Sequence, residues 1–343
     1  MRRTILILAT LLFTLASMAE EKNDTVIITL ANGNEVRYTS DQFDRVVIIY
    51  NLHYGVKVYL KDNKSKDYLA TKVVIAEYQA GTHEVTNRNR NLYRAKLLEY
   101  PHLAADSTMN QLVIKSTSNY GITYSLEWSY ADKANRWTCY QMHSGNKAQN
   151  VTRSDDPFAP DPEIPSQYRS NLKDYKGSGY SRGHLCPSAD RLCSLEQNEQ
   201  TFFLSNMQPQ WQAHNGGIWL RLENLIRTWT DQCDTLYVVK AATIRSDQVY
   251  SQKCNETLPV PKYFYMAVLA YKKSTNTYQA LGLWTLHQNA NDSNKNYGDY
   301  AITIDELEER TGIDFFCNLP DDIEDDVERK IDLNYWGITK SKQ

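Results

Sequence analysis

The chain has 343 residues, 41% hydrophobic and 23% charged, with 38 basic against 41 acidic side chains. A tight, static nucleic-acid binder is normally basic, so this balance weighs against a pure binding module and leaves room for an enzyme with one local basic cleft. Six cysteines without a C-x-x-C pair exclude the ordinary ligand spacing of a structural zinc site.

At the N-terminus, Arg2 and Arg3 precede an apolar run from Thr4 to Ala16, and Ser17-Met18-Ala19 offers small residues for cleavage. The run is too short to cross a bilayer and has the flanks of a secretory signal peptide. Residues 1–19 are therefore expected to be removed and the protein exported, either periplasmic or secreted. No cysteine follows closely, so no membrane anchor is expected. Loss of Arg2 and Arg3 takes the formal charge from −3 to about −5.

Residues 20–80 contain an internal echo. Val26–Leu30, Asn32-Gly33 and Val36–Tyr38 parallel Val56–Leu60, Asp62-Asn63 and Tyr68, each copy reading as alternating strands around a turn. Two copies predict a small β-rich accessory module, since a solenoid needs more. Its His53 reads as a surface or partly packed histidine. Residues 81–93, with Gly81 and the run from Asn87 to Asn91, turn polar and read as a linker.

Residues 94–338 are long enough for one large domain. Tyr124–Trp128 and Trp137–Gln141 read as strands, followed by the Pro-rich loop from Asp155 to Pro162. Phe202–Ser205 reads as another short strand, leading through Pro209 into a helix that opens at Asn215. Leu236–Val239 and Phe264–Leu269 are further strands. Thr303 with Glu306 forms a capping box, and Gly312 ends the helix it starts. The acidic runs Asp305–Glu309 and Asp321–Glu328 read as solvated helix faces. Strands and helices do not alternate regularly, so the fold class is α+β, with a mixed or antiparallel central sheet. Cys233 and Cys254 flank a strand and form the first candidate disulfide in an exported chain. Cys186, two residues after His184, invites a catalytic-thiol reading beside the blander one of a small core residue.

The chemistry concentrates in Ser181-Arg182-Gly183-His184-Leu185-Cys186-Pro187 and in the segment from Asn215 to Glu223. A histidine on a tight Arg-Gly turn supplies a base that works near neutral pH. An asparagine opening a helix supplies one neutral oxygen ligand for a hard cation that keeps most of its waters. In a regular helix Asn215, Trp219 and Glu223 drift only about 40° per step, and Glu223 lies about 12 Å along the axis from Asn215. The carboxylate then acts through water rather than by direct ligation. The bland reading of Asn215 alone is a helix N-cap. Leu222, Leu225, Ile226 and Trp229 form the stripe that docks this helix.

With Ser205-Asn206 between them, these motifs resemble the DNA/RNA non-specific endonucleases, the ββα-metal group that includes endonuclease G. The family pattern is Asp-Arg-Gly-His-x-x-Pro, then Ser-Asn, then Asn-x-x-x-Trp-x-x-Leu-Glu, and the similarity runs from about Leu97 to Trp336. The resemblance implies a magnesium-dependent, sugar-non-specific hydrolysis of DNA and RNA phosphodiesters, with manganese able to replace magnesium. It implies that His184 is the general base, Asn215 the sole direct protein ligand of the metal, and Glu223 the organiser of metal-bound water. Arg182 contacts phosphate, Asn206 supports the site by hydrogen bonding, and Arg153 is a second candidate phosphate contact. The usual acidic residue at the head of the first motif is Ser181 here. His214 stands where such sequences are commonly apolar and reads as a partly exposed packing residue. The alternative from another class is a catalytically inactive nuclease-like surface module that binds nucleic acid or another partner. Oligomeric state and any inhibitor protein are not legible in the sequence.

Overall fold

The computed structural model describes residues 94–341 apart from Ser107, Asp156, Asn291, Ser293 and Asn294. Before residue 94 it describes eight strands, residues adjoining several of them, Val85 and residues 87–89. His53, Gly33, Gly81 and most of residues 1–19 lie outside the described residues, as does much of the expected linker. The chain divides into two units, one comprising Met1–Val85 with Pro320–Asp322 and the other Thr86–Leu319 with Ile323–Gln343. No helix among the described residues is long and apolar enough to cross a membrane.

The smaller unit holds β1 (Arg2–Ile5), β2 (Ala16–Met18), β3 (Thr25–Leu30), β4 (Glu35–Thr39), β5 (Phe43–Ile49), β6 (Gly55–Leu60), β7 (Ser65–Leu69) and β8 (Val73–Gln79). They form two antiparallel sheets, ordered β1-β8-β3-β4 and β2-β5-β6-β7. The echoing segments form the hairpins β3–β4 and β6–β7. In the second, Asp62 Oδ1 accepts the Lys64 amide and Asn63 takes the left-handed conformation, φ 63°. Val26, Ile28 and Tyr38 of one sheet share a core with Phe43, Val56 and Val58 of the other. This unit is a small sandwich, because each sheet buries its apolar alternate residues against the other. β1 and β2 are edge strands.

The larger unit is organised by seven antiparallel strands in the order β17-β16-β15-β14-β11-β10-β9. These are β9 (Asn110–Thr117), β10 (Gly121–Ser129), β11 (Ala134–Met142), β14 (Thr235–Ala242), β15 (Tyr263–Lys272), β16 (Thr277–Leu286) and β17 (Ala301–Ile302). A separate two-stranded ribbon pairs β12 (Ser181–His184) with β13 (Met207–Gln210). The helices are α1 (Leu195–Gln200), α2 (Gln212–His214), α3 (Leu220–Trp229), α4 (Ile304–Thr311) and α5 (Asp321–Glu328).

The central sheet is buried on both faces, and β15 shows why. Its alternate residues Phe264, Met266, Val268 and Ala270 join the core under α3, while Tyr265, Ala267 and Leu269 join the core under α4 and α5. Leu222, Ile226 and Trp229 of α3 are all buried in the first core, each contributing roughly 1.5–3 kcal/mol. Thr303 Oγ1 caps α4 by accepting the Glu306 amide, but the expected capping box does not close because the Glu306 carboxylate pairs with Arg310; Gly312 ends the helix at φ 68°.

Several expectations are corrected. Phe202–Ser205 is not a strand but a turn after α1 that runs into a 3-10 turn, and Pro209 lies within β13. Asn87 and Asn89 are not slack linker. Asn87 donates to Asp314 and Glu324 at 3.0 Å each, and the buried Asn89 bonds to Pro101, Leu103 and Asn318. Cys233 and Cys254 do not pair, because they sit in different apolar clusters, and all six thiols are free. The acidic runs are only partly solvated: Glu324 and Glu328 are 4% and 7% exposed.

Candidate active site

The site begins with β12. Its expected tight turn is instead extended strand, with His184 opposite Met207 and Gly183 opposite Gln208. Gly183 is required by close approach and not by an unusual φ. A Cβ there would lie 2.0 Å from Oε1 of the fully buried Gln210. Strand alternation then turns Arg182 and His184 toward the same face of the ribbon.

Two rings on other segments receive them. Phe158, in the Pro-rich loop, and Phe202, after α1, meet edge-on with centroids 5.1 Å apart. The His184 ring packs 5.7 Å from Phe158 and 5.2 Å from Phe202. The Arg182 guanidinium stacks 3.8 Å above Phe158, and that of Arg153 lies 4.7 Å above Phe202 while donating to Ser188 Oγ. The platform therefore gathers a histidine and two cations from two separate stretches of chain, β12 and the segment before the Pro-rich loop. The Phe158 loop is fixed by the buried Lys115–Asp161 ion pair at 2.6 Å, and Asp161 also accepts from Ser205 Oγ at 2.5 Å. The sequence reading missed both phenylalanines. Their only signal was position, in a Pro-rich loop and an apolar run.

Asn206 is fully buried and holds the chain leaving β12. Its Oδ1 accepts the Cys186 amide at 2.8 Å, and its Nδ2 donates to the carbonyls of Cys186 and Thr201 at 2.8 and 2.9 Å. Burial pushes the Cys186 thiol up to about 12, which removes the thiolate and with it the catalytic-thiol reading. Ser181 Oγ donates to Gln212 Oε1 at 2.6 Å, tying β12 to α2.

Asn215 does not open the helix and is not its N-cap. The helical run starts at Gln212, Asn215 has φ −60° and ψ −52°, and it begins a π turn, Asn215–Trp219, broken at Gly217. That wider turn changes the phase expected of a regular helix. Asn215 is half-buried, and its carboxamide makes no hydrogen bond among the described residues. Trp219 is buried and its Nε1 donates to the His184 carbonyl at 3.2 Å.

Glu223 lies in a charge-balanced network. Its carboxylate faces Lys240 Nζ at 3.4 Å and Arg227 at 3.7 Å, and Arg227 donates to Asp190 at 2.6 Å. Burial pushes Glu223 above the usual carboxylate range, while Lys240 and Arg227 pull it back. It is 8% exposed, so it can reach water only along a narrow edge.

His214 is fully buried, not partly exposed. Nδ1 accepts from Gln210 at 2.7 Å and Nε2 donates to Thr285 Oγ1, whose own proton goes to the Phe264 carbonyl. His287 is locked likewise, donating from Nδ1 to Pro261 and accepting the Trp211 amide at Nε2. Neither imidazole has room for a second proton, and burial lowers them to about 3 and about 4. Neither can serve as the base.

A family model described as DNA/RNA non-specific endonuclease matches residues 105–322. The mitochondrial nuclease EXOG of Mus musculus is 28% identical over 239 residues, covering 66% of this chain and 65% of its own. A nuclease of Syncephalastrum racemosum is 32% identical over 213 residues, covering 57% of this chain and 66% of its own. A nuclease of Nostoc sp. is 30% identical over 229 residues, with 65% and 79% covered. The chain thus spans just under two thirds of the length of the first two relatives. A chain from the crystal structure of an EndoG/EndoGI complex shares the fold, with TM-score 0.52 at 24% identity over 60% of this chain and 86% of that one.

Proposed function

The chain belongs to the DNA/RNA non-specific endonuclease family, and from that premise we propose that it is an exported, magnesium-dependent enzyme hydrolysing DNA and RNA phosphodiesters. The observation that carries the reading is the Phe158–Phe202 platform, which presents His184 between two arginines. Arg182 and Arg153, positioned by stacking on Phe158 and Phe202, pair with the non-bridging oxygens of a phosphodiester. His184 takes the proton from a water attacking phosphorus in line with the leaving oxygen. All these contacts are to backbone groups, so base identity matters little. A water nucleophile makes the 2′-hydroxyl unnecessary, and both sugars serve.

The Asn215 carboxamide, half-exposed and without a hydrogen bond among the described residues, fits a single neutral ligand of magnesium. Bound there, the ion supplies positive charge for the phosphate and the leaving oxygen. Glu223, held by Lys240 and Arg227, would help to orient water beside such an ion. Export is supported by the leader-like composition of residues 1–19, where the described elements are the edge strands β1 and β2.

Plasmid DNA and RNA incubated with the purified protein, with and without chelator, test the proposal. Both substrates are cut, chelator stops both, and His184→Ala lowers turnover by roughly 10²–10⁴-fold while staying folded. Undiminished cleavage by a folded His184→Ala protein would assign the base elsewhere. No cleavage of either substrate by the folded wild type would favour an inactive nuclease-like module.

A further inference from the structure

On the face of the central sheet opposite α3, the helices α4 and α5 bring acids together. Asp305 and Glu308 are three apart on α4 and so share a face, while Glu328 ends α5. One carboxylate oxygen from each lies within 4.8 Å of the other two. The basic side chains nearby are engaged elsewhere: Arg310 with Glu306, Arg329 with Asp325 and Lys330 with Asp326. Among the described residues no cation pairs with the three acids.

A second observation points the same way. Glu328 is 93% withdrawn from solvent, and its Oε1 has no hydrogen-bond partner. It also closes a helix, where the backbone dipole already opposes negative charge. A buried carboxylate without a donor is costly, and two further carboxylates beside it raise that cost. A dication held by the three carboxylates offsets these costs by direct attraction and supplies the missing partner. The donors are all oxygens, with no histidine or cysteine, and they arrive on two separate helices. Such a set suits calcium, which accepts carboxylates in flexible geometry, better than magnesium, which demands near-octahedral order and keeps its waters.

We propose that Asp305, Glu308 and Glu328 bind one hard divalent cation of the calcium class, pinning α5 to α4 apart from the Asn215 site. The full chain, stripped of metal and returned to magnesium, is titrated with calcium and melted with calcium or chelator. Wild type and Asn215→Ala bind one calcium and melt higher with it. Glu328→Gln and the exposed substitution Asp305→Asn weaken calcium by roughly tenfold or more and lose the calcium-dependent shift. Glu328→Gln in chelator melts no lower than wild type, since a neutral amide relieves the repulsion. Equal calcium binding by wild type and both acid variants overturns the proposal, as does a wild-type melting temperature indifferent to calcium.

Discussion

The indole Nε1 of Trp219 donates to the backbone carbonyl of His184 at 3.2 Å, joining the segment that carries the candidate ligand to the strand that carries the candidate base. Trp219→Phe keeps a ring in the core and removes only the donor. Stability should fall by about 1 kcal/mol, and cleavage by as much as roughly 10²-fold, because small displacements at a reacting centre are amplified in rate. Urea unfolding alongside turnover checks this. A rate loss no greater than the loss of folded protein would make the bond merely structural.

Asn215 and Glu223 should separate cleanly. Asn215→Ala removes a carboxamide that holds no hydrogen bond among the described residues, so the fold should keep its stability while activity and its magnesium dependence collapse. Glu223→Gln leaves Lys240 charged and fully buried opposite a neutral amide, a loss of about 3 kcal/mol or more. Its remaining activity should still depend on magnesium. Cleavage rate against magnesium concentration, with melting curves for both variants, decides. Tolerance of Asn215→Ala would transfer the ligand role elsewhere.

The boundary between the units places the start of the larger one at Thr86. A chain beginning at Thr86 should fold and cleave. One beginning at Asn91 should be less stable, because it lacks buried Asn89 and leaves Asp314 and Glu324 without the Asn87 amide between them. Comparing the two by thermal melting is direct, and equal melting temperatures would show the asparagines to be dispensable.

Buried His214 and His287 make the fold acid-sensitive. Their folded values, about 3 and about 4, lie below the ordinary 6.5, so the unfolded chain binds protons that the folded chain refuses. Their stability contribution is full above pH 6.5 and is lost as pH falls toward 4 and then 3. Each histidine adds a slope of at most about 1.4 kcal/mol per pH unit. Urea midpoints should fall between pH 7 and pH 5, and His214→Gln should fall less steeply over the same interval. An unchanged slope in His214→Gln would mean that this imidazole titrates normally in the fold.

The sequence by itself determined the elements whose signals are local. β10, β11, β14 and β15 follow from apolar runs and alternation, α4 from its cap and closing glycine, and the docked face of α3 from its spacing. His184, Arg182, Asn206, Asn215 and Glu223 were legible as residue types at motif spacing. What needed tertiary structure was everything set by partners far along the chain. Gly183 is glycine because Gln210 crosses it, His214 is neutral because Gln210 and Thr285 occupy both nitrogens, and Glu223 is bound first to Lys240. Phe158 and Phe202 acquire a role only when a Pro-rich loop and the end of α1 meet beside β12. The acids of α4 and α5 read as solvated because periodicity along one helix says nothing of a second helix packed against it. Local pattern fixes which face is apolar, and only the fold decides which charges face each other inside.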